Sequence, residues 1–161
     1  MNTKTALAIA AALLLMTGTG VAIMTGTPRG IRNNNPGNIR KGTSWQGLAT
    51  DQNDPAFAVF ALPEYGLRAL AITLRTYQTK YGINTIAGAI ARYAPASENN
   101  TQAYINAVAA HVGASPDAPL DFTNAGVLRL MLEAITMHEN GVQPYSVAVL
   151  NRAMGLAGVV A

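Results

Sequence analysis

Leu128, Leu132, Ile135 and Glu139 follow one another at spacings of four, three and four residues, and this stripe constrains the chain more than any other feature. At about 100° per residue the four side chains share one face of a helix, so a carboxylate continues an apolar seam. Gly141 then offers the left-handed conformation that ends helices. A glutamate placed there faces the negative pole of the helix dipole and is partly removed from water. Both effects favour the protonated form, the state a general acid needs near neutrality. The competing reading is a frayed last turn with Glu139 in solvent.

Few other groups in the chain are suited to proton chemistry. The acids are Asp51, Asp54, Glu64, Glu98, Asp117, Asp121, Glu133 and Glu139. There is no cysteine, which excludes disulfides and thiolate metal sites. His111 and His138 stand in no metal-ligand spacing and in no recognisable triad setting, so neither a metal nor a cofactor is expected. The net charge of +3 suits an anionic partner such as cell wall, phospholipid or nucleic acid, without selecting among them.

Ala6 to Met24 is an almost unbroken apolar run, interrupted at Thr17-Gly18-Thr19-Gly20. Its length of about 19 residues is enough to cross a bilayer core as one transmembrane helix. A cleaved secretory signal is the alternative, but Gly20-Val21-Ala22 makes a poor cleavage site, so a retained anchor is expected. Lys4 precedes the run and Arg29 and Arg32 follow it, leaving the orientation open. The domains are therefore drawn as 1–28, anchor and hinge ending in Gly26-Thr27-Pro28, and 29–161, the soluble domain.

From Arg29 to Arg40 the chain is dense in asparagine, glycine and proline, a composition that predicts turns and no helix. Trp45-Gln46-Gly47, Asp51 to Pro55 and the apolar run Phe57 to Phe60 follow. They predict a small β-hairpin or ribbon between Asn38 and Phe60. Amide side chains beside one tryptophan suit sugar recognition, while a core plug is the structural alternative for Trp45. Arg29, Arg32, Arg40 and Lys41 lack the interleaved aromatics of a nucleic-acid surface, and no nucleic acid is expected.

The remainder reads as helices. Pro63 opens one whose stripe is Leu67, Leu70, Leu74, Tyr77 and Tyr81, closed by Gly82. Glu64 fits its first turn as a helix-start acid. Asn84 or Thr85 starts a second helix running to about Tyr93, and Glu98 falls in the next loop as a solvated or capping residue. Gln102 to Val112 forms a third helix. Asn124 caps the helix ending at Glu139, and Ser146 caps a last one across Val149, Leu150 and Met154. The expected class is mainly α with a small β element.

Two blocks carry a resemblance. Asn33-Asn34-Asn35-Pro36-Gly37-Asn38-Ile39-Arg40 with the following Lys41 to Gly47 resembles the asparagine-rich and Trp-x-Gly stretch of bacterial cell-wall glucosaminidases. Arg92-Tyr93-Ala94-Pro95 and Ala103-Tyr104-Ile105 are similar to tyrosine-bearing segments that line the groove of those enzymes and of lytic transglycosylases. Their catalytic helix ends Glu-Ser-Gly, and Glu139-Asn140-Gly141 is similar. It comes last here and first in them, so the resemblance implies a circularly permuted lysozyme-like fold. Arg29 to Ser146 also resembles a group of muralytic, virion-associated phage proteins.

The resemblance implies cleavage of peptidoglycan glycan strands, with Glu139 as catalytic acid and Glu64 as the alternative. Asp51 and Asp54 are the second carboxylates a hydrolase such as a muramidase or glucosaminidase would need. A lytic transglycosylase needs only one Glu, and the scarcity of acids favours it. Asn33, Asn35, Trp45, Tyr93, Tyr104 and Tyr145 are the expected glycan contacts. The setting is a virion membrane or the host inner membrane, reached through residues 6–24, with other virion proteins as neighbours. A glycan-binding module of the same fold without chemistry is the rival from another class. A nucleic-acid-guiding membrane protein is the third reading.

Overall fold

A computed structural model describes residues 26–97 and 99–160; the apolar run Ala6 to Met24 and Glu98 lie outside the described residues. Among the described residues there are six helices and no named strand. They are α1 (Arg29–Arg32), α2 (Pro63–Tyr81), α3 (Ile86–Tyr93), α4 (Thr101–Val112), α5 (Ala125–Asn140) and α6 (Val147–Leu156). None of them is long and apolar enough to cross a membrane.

The helix ends follow local chemistry. Thr85, Asn100, Asn124 and Ser146 each accept a backbone N–H in the first turn of α3, α4, α5 and α6. Pro63 occupies the first position of α2, where its missing N–H costs nothing. Gly82, Gly113 and Gly141 close α2, α4 and α5 in the left-handed region, with φ of 67°, 74° and 68°.

The stripe predicted for α5 is buried as far as Ile135: Leu128, Leu132 and Ile135 have no exposure. They meet Leu67, Leu70 and Leu74 of α2, Ile90 of α3, Tyr104 and Val108 of α4, and Leu150 of α6 in one core. Removing a buried leucine such as Leu132 to alanine costs about 2–5 kcal/mol in cores of this kind. The α2 stripe divides, however. Its leucines are core, while Tyr77 is half-buried and Tyr81 is 46% exposed.

Two expectations are corrected. The segment from Arg29 does form a helix, of a single turn: Arg32 N–H and Asn33 N–H bond the carbonyls of Pro28 and Arg29 at 2.9 and 3.0 Å. Pro28 can start that turn because its own N–H is not needed, and the asparagines begin only after it. Nor is there a β-hairpin among the described residues. Two isolated antiparallel bridges, Arg40 with Phe57 and Leu48 with Phe60, replace it. Side-chain amides take over where a ladder would continue. Asn35 Nδ2 donates to the carbonyls of Ile39 and Ala58, and Gln52 bonds Ala49 and both backbone groups of Val59. Ala58, Phe60 and Ala69 form a small second core beneath this region, with Ile39, Trp45, Leu48 and Tyr65 packed against it.

Candidate active site at the end of α5

Asn34 and Asn38 both take φ of 49°, a left-handed conformation that asparagine tolerates better than other side-chain-bearing residues. These two reversals fold the asparagine run back on itself and bring it against the end of α5. Asn140, the last residue of α5, donates from Nδ2 to the Pro36 carbonyl at 2.8 Å across 104 positions of sequence. Gly30 lies in the same joint. A β-carbon there would collide with Asn140 Oδ1 and press on the Asn35 carbonyl and Asn38 Oδ1, both at 2.9 Å. Gly37 is similarly enclosed, beneath Leu70 and the Tyr93 hydroxyl. Tyr93 donates that hydroxyl to the Gly37 carbonyl, a second tie on the loop.

The joint places Glu139 between two donors. Asn38 Nδ2 reaches Oε2 and Tyr104 Oη reaches Oε1, each at 2.8 Å. Burial raises the Glu139 pKa above the ordinary carboxylate value, and the bonds from Asn38 and Tyr104 offset only part of that rise. Tyr104 is itself buried, and its hydroxyl is held firmly protonated by burial and by the neighbouring Glu139 charge. Its ring stacks on His138, with centroids 3.6 Å apart and 14° between planes. Partial burial lowers the His138 pKa, which favours a neutral imidazole. The resulting unit is a half-buried carboxyl with fixed oxygens and no ionic partner among the described residues. It can hold a proton to higher pH than a solvated glutamate and release it into a polar contact.

The other residues singled out from the sequence have different surroundings. Asp54 accepts five bonds: two from Arg29 at 2.6 and 2.7 Å, one from Asn33 at 2.7 Å, and those of the Ala56 and Phe57 N–H groups. The Arg29 guanidinium, with the help of these amides, holds the Asp54 carboxyl far below its usual range. Such a carboxylate is a structural anchor with little basicity. Asn33 and Asn35 are buried at 5% and 0% exposure, and their amides are committed to Asp54 and to the Ile39 and Ala58 backbone. They build the loop and do not present groups to a ligand. Asp51 is exposed.

Glu64 pairs with Arg152 of α6 at 2.8 Å, which lowers its pKa and keeps it ionised. That is the wrong state for a general acid. Tyr145 lies near Glu64; burial, then the Glu64 charge, pushes its pKa up to about 12, and its buried hydroxyl has no hydrogen-bond partner among the described residues. Trp45 is half-buried against the small second core and also lines a cavity with α2 and α3 residues. Among the described residues no three His, Asp or Glu side chains come together as a metal set.

Three residues of the joint went unassigned in the sequence: Asn38, His138 and Asn140. His138 and Asn140 flank Glu139 in the sequence, and only the folded geometry shows that Asn38 and Asn140 face across the joint.

Fold and site together define a small helical domain in which an asparagine-rich loop is clamped onto a helix end bearing one half-buried acid. No family model matches the chain. Protein P5 of Pseudoalteromonas phage PM2 is 44% identical over 123 residues, covering 73% of this chain and 74% of the phage protein. The chain belongs to the family of that bacteriophage protein.

Proposed function

We propose that this protein cleaves the glycan strands of bacterial peptidoglycan as a lytic transglycosylase of permuted lysozyme-like fold, with Glu139 as its general acid and then its base. The observation that carries the reading is the Glu139 carboxyl itself, kept protonated to higher pH by burial and oriented by Asn38 and Tyr104. In the first step its proton passes to the glycosidic oxygen as the bond from that oxygen to the sugar carbon breaks. The ionised Glu139 then takes a proton from a hydroxyl of the same sugar, whose oxygen closes an anhydro ring on that carbon. No water is consumed and Glu139 ends protonated.

This chemistry suits a site whose acid has no carboxylate among its bonded partners. Hydrolysis by the usual route would require a second carboxylate; Asp54 is bound into the Arg29 pair and Asp51 is exposed. Trp45, which lines the cavity beside α2 and α3, would contact the glycan. Membership in a phage protein family supports a virion setting. There residues 6–24 would hold the chain in the virion membrane or host inner membrane, with the domain facing the wall and other virion proteins nearby.

The test is incubation of the full-length protein, in mild detergent, with purified peptidoglycan, followed by mass analysis of the products. Anhydro-ended fragments are expected. Fragments that have gained water would indicate a hydrolase. Binding without any cleavage would establish a glycan-binding module that lacks the chemistry.

A further inference from the structure

Where α2 begins, its first turn and the last turn of α6 enclose a cavity of about 450 Å³. Leu62, Tyr65, Gly155 and Leu156 give it an apolar wall, and Glu64 and Arg152 are its charged members. Leu62 is 54% exposed and Leu156 44%, so two large apolar side chains of one cavity meet water.

The surroundings of this apolar centre are cationic. Glu64 is the one acid lining the cavity, and Arg152 takes it while its own side chain stays 59% exposed. Arg68, one turn along α2, donates Nε to the Leu156 carbonyl, and its guanidinium makes no other hydrogen bond among the described residues. Arg32 belongs to the same neighbourhood. Two residues after it, Asn34 Nδ2 bonds the carbonyls of Phe60 and Ala61, directly before Leu62. The apolar run of the sequence ends at Met24, five residues before α1, and five residues span at most about 17 Å. The cavity therefore lies beside the point at which the chain would leave a bilayer. Exposed leucines ringed by arginines suit the boundary between acyl chains and anionic headgroups.

We infer that this cavity docks the domain onto the lipid surface. The acyl-glycerol part of an anionic phospholipid sits between Leu62, Tyr65 and Leu156, and its phosphate meets Arg68 and Arg152. The inference rests on residues 6–24 being held in a bilayer, as in the reading above, and is independent of the chemistry at Glu139. A domain docked in this way keeps one orientation over the membrane.

The chain has no cysteine, and nothing lies within 4 Å of a β-carbon built at Gly155. Gly155→Cys can therefore carry a nitroxide label at the cavity without displacing a neighbour. Ser115→Cys is the reference. Its loop is bonded to Asn84 and Ala87, beyond the far end of α2, a 19-residue helix about 28 Å long. Each full-length protein is reconstituted into phosphatidylcholine vesicles with and without phosphatidylglycerol, and flotation with the vesicles is recorded. With phosphatidylglycerol, the label at 155 should become accessible to oxygen and shielded from a water-soluble nickel chelate, while the label at 115 stays open to the chelate. Arg152→Gln should reduce the docked population about fivefold, the worth of one arginine at an anionic surface. Arg152→Lys should retain docking, with circular dichroism verifying the fold of each variant. Leu62→Ser combined with Leu156→Ser should abolish docking while the protein still floats through residues 6–24.

Failure to float, equal exposure of the two labels in anionic vesicles, or docking indifferent to the leucine changes would each overturn the assignment. So would shielding of the label at 155 by a second copy, seen as label–label broadening in detergent. Wall cleavage is scored separately. Docking without cleavage leaves this inference and removes the catalytic reading, while cleavage without docking does the reverse.

Discussion

Asn140→Ala tests the joint that positions Glu139. The native amide is 8% exposed and donates both to Pro36, 104 positions away, and to the Thr136 carbonyl in its own helix. Alanine leaves the buried Pro36 carbonyl without that donor, a loss of about 1–3 kcal/mol for an unsatisfied buried group. Alanine's better helix propensity returns about half a kcal/mol. The net expectation is a destabilisation of about 1–2 kcal/mol, or roughly 1 M in urea midpoint for a domain of this size.

Asn140→Asp should cost more at neutral pH, because an ionised carboxylate cannot donate and would face two carbonyl oxygens. Its folded-state pKa would be raised above the unfolded value. The folded state then binds the extra proton, so stability is recovered as pH falls through that raised pKa and lost as pH rises through it. Urea unfolding of both variants at pH 7 and pH 4.5 measures this. A midpoint for Asn140→Ala within about 0.3 M of wild type, or an Asn140→Asp variant no better at pH 4.5 than at pH 7, would refute the claim that this amide holds the loop.

Other consequences can be checked singly. Tyr104→Phe removes a bond that favours ionised Glu139, so carbon-13 NMR of the glutamate carboxyls should show the Glu139 titration moving to higher pH. The Glu139 pKa is raised on folding, so its contribution to stability is fully present below the unfolded glutamate pKa and lost as pH rises through the folded value. Asp54 has the opposite sign. Its pKa is depressed, so the Arg29 pair stabilises above the unfolded aspartate pKa and is lost in acid. Asp54→Asn should accordingly lower the melting temperature at pH 7, with the gap narrowing toward pH 2. Gly66→Ala would drive a methyl into the Asn34 carbonyl, and thermal melting should show a loss of about 1–3 kcal/mol or failure to fold.

The helices were legible because their signals are local. Pro63, Asn124, Ser146, Gly82 and Gly141 act within one turn of where they stand, and the observed ends agree to about a residue. The seam ending at Glu139 was legible for the same reason, as a period along one helix. Asn33 and Asn35 were not. Their amides bond groups up to 23 positions away, and such a residue reads in sequence like an exposed ligand. The turn at Arg29–Arg32 was hidden by averaging over the asparagines that follow it, although Pro28 is a good start signal. Tyr77 and Tyr81 continue a leucine stripe in period, yet the core ends at Leu74, so burial could not be read from spacing alone.

The account depends most on the proton carried by Glu139. Glu139→Gln retains the size of the side chain and one acceptor oxygen while removing that proton. With the full-length protein and purified wall, the initial rate of release of anhydro-ended fragments should fall by about 10²–10⁴, the range general acid catalysis is worth, while thermal melting still shows a folded domain. A folded Glu139→Gln protein that cleaves wall within tenfold of the wild-type rate, or a comparable loss on Glu64→Gln, would contradict the assignment.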